Sequence, residues 1–165
     1  MVADVMRTVD RRIIHAPPDV VYQLAADVER WPTLLSHYRW VTRESGEPLG
    51  AGTVEMAAWR PFGPLRWPTW WRSAMATDPV RHRITYQHIG GITTGMAVVW
   101  TINPTPDGWS DVTIVHEWNG PQWPVIGRLA ARQIIGPVFV HGIASRTLAG
   151  LATAAAARVD AGRAG

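Results

Sequence analysis

A chain of 165 residues, 47% hydrophobic and 18% charged, carries enough apolar material for one globular domain, and no apolar run approaches a membrane span. Its basic residues are all arginines, scattered without a run and giving a formal charge of only +3, which argues against a nucleic-acid partner. The absence of cysteine excludes disulfides and thiolate metal sites, and the start lacks a continuous apolar leader core, so a cytoplasmic location is the default expectation.

Residues 4–15 read as a first strand closed by Ile13 and Ile14. Pro17 and Pro18 fix φ and lack amide donors, which suits the first turn of a helix. Val20, Val21, Leu24, Ala25 and Val28 then recur at helical spacing. Pro32 ends that pattern and opens a second short helix carrying Leu34 and Leu35. Extended stretches follow, separated by Gly, Pro or Asp: Tyr38–Glu44, Thr53–Arg60, Trp67–Thr77, Arg83–Ile89, Gly95–Asn103 and Asp111–Trp118. From Ile126 to Arg158 the pattern is Ala-rich and helical, with Gly136-Pro137 as the expected kink and Val138, Ala144, Leu148, Leu151 and Ala155 near one face. The order is strand, two helices, six strands, long helix, with no repeat and no dividing linker, so residues 1–165 are expected to form a single domain.

Strand alternation sorts the candidate site residues. Thr69, Trp71, Ser73 and Met75 share one face, opposite Trp70, Arg72 and Ala74. Ile84, Tyr86 and His88 share a face, as do Met96, Val98, Trp100 and Ile102. Val112, Ile114, His116 and Trp118 form the last set. Together these are the expected concave lining. Ten tryptophans are unusual, and four fall within Trp59–Trp71. Tryptophan is large, rigid and amphipathic, which suits a cavity wall or an interface, though a Trp-heavy core or exposed hairpin fits the same pattern.

Residues 13–38, IIHAPPDVVYQLAADVERWPTLLSHY, carry the pattern APxxVYxLxxDxExWPxxLxxY. In this the chain resembles the polyketide cyclase/dehydrase branch of the START-like (SRPBCC, helix-grip) superfamily, over about residues 5–155. The resemblance implies an α+β helix-grip fold: a curved antiparallel β-sheet wrapped around a long C-terminal helix, with an internal cavity between them. Within that superfamily the chain is similar to the aromatase/cyclases that fold linear poly-β-ketone chains. Trp31, Tyr38, Trp71, Ser73 and Trp100 fall on positions that line the pocket in that group, and Ser145-Arg146-Thr147 resembles it locally. The group's pocket arginine falls at Met75, which neither donates a strong hydrogen bond nor carries charge. Arg72 is near in sequence but belongs to the other strand face unless a bulge turns it.

Tyr38, His116 and Arg146 are the candidates for proton transfer and charge. Trp31, Trp71, Ser73, Met75, Tyr86, His88, Met96, Trp100, Ile114 and Trp118 are the candidate ligand wall. For His88, His116 and His141 a hydrogen-bonded structural or exposed position is the favoured reading, and Arg146 fits a solvated face equally well. No HxH or HExxH spacing, GxGxxG, Walker loop or nucleophile elbow occurs, so neither a metal nor another cofactor is expected. The expected partner is a hydrophobic small molecule, with no transmembrane segment; a homodimer is also compatible. Three functions compete: binding of an apolar or aromatic compound (polyketide, isoprenoid, lipid or quinone); polyketide cyclase, aromatase or dehydratase chemistry; and docking to a partner or membrane through the Trp-rich hairpin.

Overall fold

The computed structural model describes residues 5–62, 65–120 and 140–164. Strand β1 (Met6–Ile14) leads into helix α1 (Pro18–Ala26), which starts at the proline pair and stops where Asp27 leaves helical geometry at ψ 60°. A 3-10 turn at Val28–Arg30 and the short helix α2 (Trp31–Leu34) follow. Six strands come next: β2 (Tyr38–Gly46), β3 (Gly52–Phe62), β4 (Leu65–Asp78), β5 (Arg83–Gly91), β6 (Ala97–Pro104) and β7 (Ser110–Trp118). Helix α3 (His141–Arg163) ends the fold. The seven strands make one antiparallel sheet in the order β1-β7-β6-β5-β4-β3-β2. This is the curved helix-grip arrangement.

The core lies between the concave face and the helices. Ile14, Ile84, Ile102 and Val112 from the sheet, Val21, Leu24 and Ala25 from α1, and Leu148, Leu151 and Ala155 from α3 belong to one buried cluster. Gly150 lets α3 pass close to α2, since a Cβ there would lie 2.3 Å from Leu35 Cδ2.

Of three register shifts in the sheet, two bear on which side chains face the cavity. On β2, Tyr38 pairs with Ala58 and Trp40 with Ala57, so Arg39 is the extra residue. On β5, Gly90 pairs with Arg72 and His88 with Ser73, so Ile89 is extra. Gly91, just beyond, has φ 88° and would place a Cβ 2.5 Å from the Trp70 carbonyl oxygen, which explains a glycine there.

Several expected boundaries shift. Strand β6 begins at Ala97 rather than Gly95, because Gly95 adopts φ 89° in the preceding turn. Helix α3 runs five residues past Arg158, to Arg163. The expected helical stretch from Ile126 and the Gly136-Pro137 kink lie outside the described residues.

Candidate functional site

The wide end of the sheet–helix gap holds a cavity of about 570 Å³, counted out to the solvent at its mouth. Its floor is aromatic. Trp31 stacks at an angle 5.8 Å from Trp100 and edge-on 5.0 Å from Tyr38; Tyr38 meets Trp71 at 6.1 Å, and Trp71 lies parallel to His88 at 6.1 Å. Trp31 is held in place by its indole N–H, which donates to the Leu24 carbonyl at 3.1 Å. Met56, Met96, Val98 and Ile114 add apolar wall, and the first turns of α3 close the gap with Ile143, Ala144 and Thr147.

Of the sequence candidates, Trp31, Tyr38, Trp71, Tyr86, His88, Met96, Trp100, Ile114 and His116 all line this cavity. Strand parity placed seven of them, the family resemblance supplied Trp31 and Tyr38, and parity separates Trp71, which is buried, from Trp70, which is 49% exposed. The Trp-rich segment therefore divides: Trp71 belongs to the cavity, while Trp67 and Trp70 are exposed.

Four candidates sit elsewhere. Arg146 is exposed and off the wall, because the inward stripe of α3 runs through Ala144, Thr147, Leu148 and Leu151, which leaves position 146 about 100° away from Thr147. Met75 is buried but outside the lining, so its loss of an arginine does not by itself make the cavity apolar. Ser73 is fully buried behind the wall. Trp118 is buried and fastens the β5–β6 turn, its indole N–H donating to the Thr94 carbonyl at 2.9 Å. The bulge that might have turned Arg72 inward lies on β5 instead, and Arg72 faces out to pair with Glu44. His141 is also outside the cavity, paired with the buried Asp10.

The polar groups on the wall are held uncharged. Burial lowers His88 to a pKa of about 4 and, with repulsion from His88, lowers His116 to about 3. Both imidazoles are thus neutral at pH 7 and able to accept a proton. His88 Nδ1 lies 2.6 Å from Thr93 Oγ1, whereas His116 Nδ1 is buried without a partner. Burial also raises Tyr38 and Tyr86, so both phenols keep their protons.

Three polar residues at or beside the cavity were not among the site candidates: Thr147, named only in the local Ser145-Arg146-Thr147 match, Thr93, and His37 behind Thr147. Thr147 faces the cavity and directs its hydroxyl proton to the Ile143 carbonyl at 2.9 Å. His37 Nε2 lies 3.0 Å from the same oxygen and is therefore the donor in that contact. Thr93 comes from the β5–β6 turn. Thr147 was findable as the position three residues after Ala144; His37 and Thr93 sit in irregular segments where periodicity is silent. Among the described residues, no group of three or more His, Cys, Asp or Glu side chains could hold a metal, and no helix is long and apolar enough to cross a membrane.

The profile of a family described as polyketide cyclase / dehydrase and lipid transport matches residues 6–156. The granaticin polyketide synthase bifunctional cyclase/dehydratase of Streptomyces violaceoruber is 30% identical over 111 residues, 64% of this chain and 32% of that protein. The chain thus spans about a third of the length of that curated relative. The Zhui aromatase/cyclase from Streptomyces sp. R1128 superposes with TM-score 0.78 at 18% identity, covering 94% of this chain and 96% of that one. The di-domain ARO/CYC StfQ from the steffimycin biosynthetic pathway gives 0.74 at 19% identity, over 94% of this chain and 52% of its own. Major latex-like protein 151 of Panax ginseng shares the fold at TM-score 0.73 and 9% identity, covering 92% of this chain and 97% of that one.

Proposed function

The chain belongs to the polyketide cyclase / dehydrase and lipid transport family, and from that membership we propose that it takes a polyketide-like chain into the aromatic cavity and promotes its ring closure and dehydration. The observation that carries this reading is the pair of neutral imidazoles, His88 and His116, beside tyrosine hydroxyls in a largely apolar, Trp-walled cavity.

A poly-β-ketone carries acidic methylenes between its carbonyls. A neutral imidazole takes one C–H proton and leaves an enolate. The enolate carbon bonds to a second carbonyl carbon of the same chain, and that oxygen takes a proton, so closure changes no atom count. Dehydration then removes the new hydroxyl and a neighbouring proton as one water. His116, with an unpartnered buried nitrogen, is the proposed base. A resting pKa of about 3 makes it weak in the empty cavity. An enolate forming beside it raises that value by charge attraction, at the point where the proton must be held. Tyr38 stays protonated and supplies a hydroxyl to the oxygen. Trp31, Trp71 and Trp100 hold the chain folded, since flat unsaturated segments stack on indole faces.

A synthetic linear polyketone tests this. Wild-type protein should speed its cyclisation, with His116→Gln losing at least about a hundredfold of that acceleration, the usual worth of a positioned base. Tight binding with no acceleration would favour the second reading, ligand carriage, which the largely apolar wall also suits.

A further inference from the structure

Besides His116 Nδ1, the buried polar atoms without a hydrogen-bond partner include Arg43 Nη2, Ser73 Oγ and Tyr86 OH. Native interiors leave few such atoms, and each asks for an occupant. Register places them together. Arg43 pairs with Val54 and Val54 with Ser73, so the three share one row on the concave face. Tyr86 pairs with Met75, two residues from Ser73 on the same face, and lines the cavity itself. Among the described side chains, Arg43 is the one arginine that is not exposed. Its side chain is 6% accessible, with Nε donating to Glu29 at 3.0 Å and Nη1 to the Gly50 carbonyl at 3.3 Å. The guanidinium also reaches Tyr86 by charge, opposing the rise that burial imposes on that phenol.

We propose that Arg43, Ser73 and Tyr86 form a polar subsite adjoining the cavity, with Tyr86 on its wall and Arg43 and Ser73 buried behind it, that receives a neutral carbonyl or enol oxygen of the ligand. The inference rests on the reading that the cavity holds a polyketide-like molecule. Arg43 only donates, and the two hydroxyls rotate to donate, so the occupant must accept hydrogen bonds. Glu29 already neutralises the guanidinium. A carboxylate would leave the cluster with net negative charge, whereas a ketone oxygen satisfies the free donors without adding one. The subsite supplies from β2 the cation that position 75 on β4 lacks. Arg72 and Arg146, the other nearby cations, are exposed.

The experiment uses two probes of one shape, methyl naphthyl ketone and isopropenylnaphthalene, which differ by a carbonyl oxygen against a methylene. Calorimetric titration of the wild-type protein should show about tenfold tighter binding of the ketone, the value of one satisfied buried acceptor. Arg43→Met should erase that preference while leaving the hydrocarbon's affinity unchanged. Ser73→Ala, which keeps the packing volume and so guards against misfolding of the first variant, should reduce it. Equal affinities in the wild type, or a preference that survives both substitutions, overturn the subsite while leaving the cavity reading intact. Failure of both probes to bind overturns the two together.

Discussion

The same sheet and the same helix build two unlike halves of the interior. Farther along, α3 packs against α1 and β1, and its Leu148, Leu151 and Ala155 are buried in the core outside the cavity. Toward its start, the same helix presents Ile143, Ala144 and Thr147 to Trp71, Tyr86, His88, Trp100 and His116, and a cavity remains. Small and flexible aliphatic side chains interdigitate until little space is left. Rigid rings braced against one another, with polar tips that need partners, keep the helix and sheet apart. One half holds the fold together, and the other is kept open.

Truncating the closed half should have the largest effect. Leu151→Ala should cost about 2–5 kcal/mol, because Leu151 is fully buried with no room to collapse. A lowered denaturant midpoint with unchanged probe affinity per folded molecule is the expected result. Weakened affinity at full stability would erase the distinction between the halves.

Acid should undo the open half first. An unfolded histidine titrates near 6.5, while His88 and His116 titrate at about 4 and about 3 in the fold. Below pH 6.5 the unfolded state binds protons that the folded state refuses. Stability is therefore complete above that value and falls with pH, at about 1.4 kcal/mol per pH unit for each histidine, until the folded-state values are reached. Melting temperatures measured from pH 7 to 4.5 should drop steeply in the wild type and less steeply in the double variant His88→Gln, His116→Gln. Equal slopes would mean the imidazoles are solvated.

The two faces of β4 give the finest version of the contrast. Trp71→Leu should weaken methyl naphthyl ketone by about tenfold through loss of a stacking wall. Its neighbour Trp70, half in solvent, should tolerate Ser within about 0.5 kcal/mol of stability and with no change in binding. Equal effects would show that the strand register is misassigned.

Much of this was legible before any coordinates. The proline pair, the helical spacing of Val21, Leu24, Ala25 and Val28, and the alternation along β4 to β7 are local patterns; the alternation placed seven wall residues, and the family pattern added Trp31 and Tyr38. Local patterns also carry the error made at Arg146: without knowing how α3 is rotated against the sheet, a charge on an Ala-rich helix has no defined face. Met75 sits on the correct face of its strand but outside the cavity, since alternation reports the side of the sheet and not the depth along it.

Arg43 shows the division most clearly. Counted by twos from Tyr38, it falls on the outer face of β2. The extra residue at Arg39 reverses that parity and turns Arg43 inward, toward Ser73 and Tyr86. A bulge is a pairing decision between two strands, made by the partner's register, so nothing in β2 alone announces it. The sequence by itself determined the element order, the helix-grip family and the composition of the cavity wall, because periodicity and turn chemistry act over a few residues. Only the tertiary structure decided which cation and which hydroxyls are buried together, because that depends on register across strands and on the rotation of a helix against them.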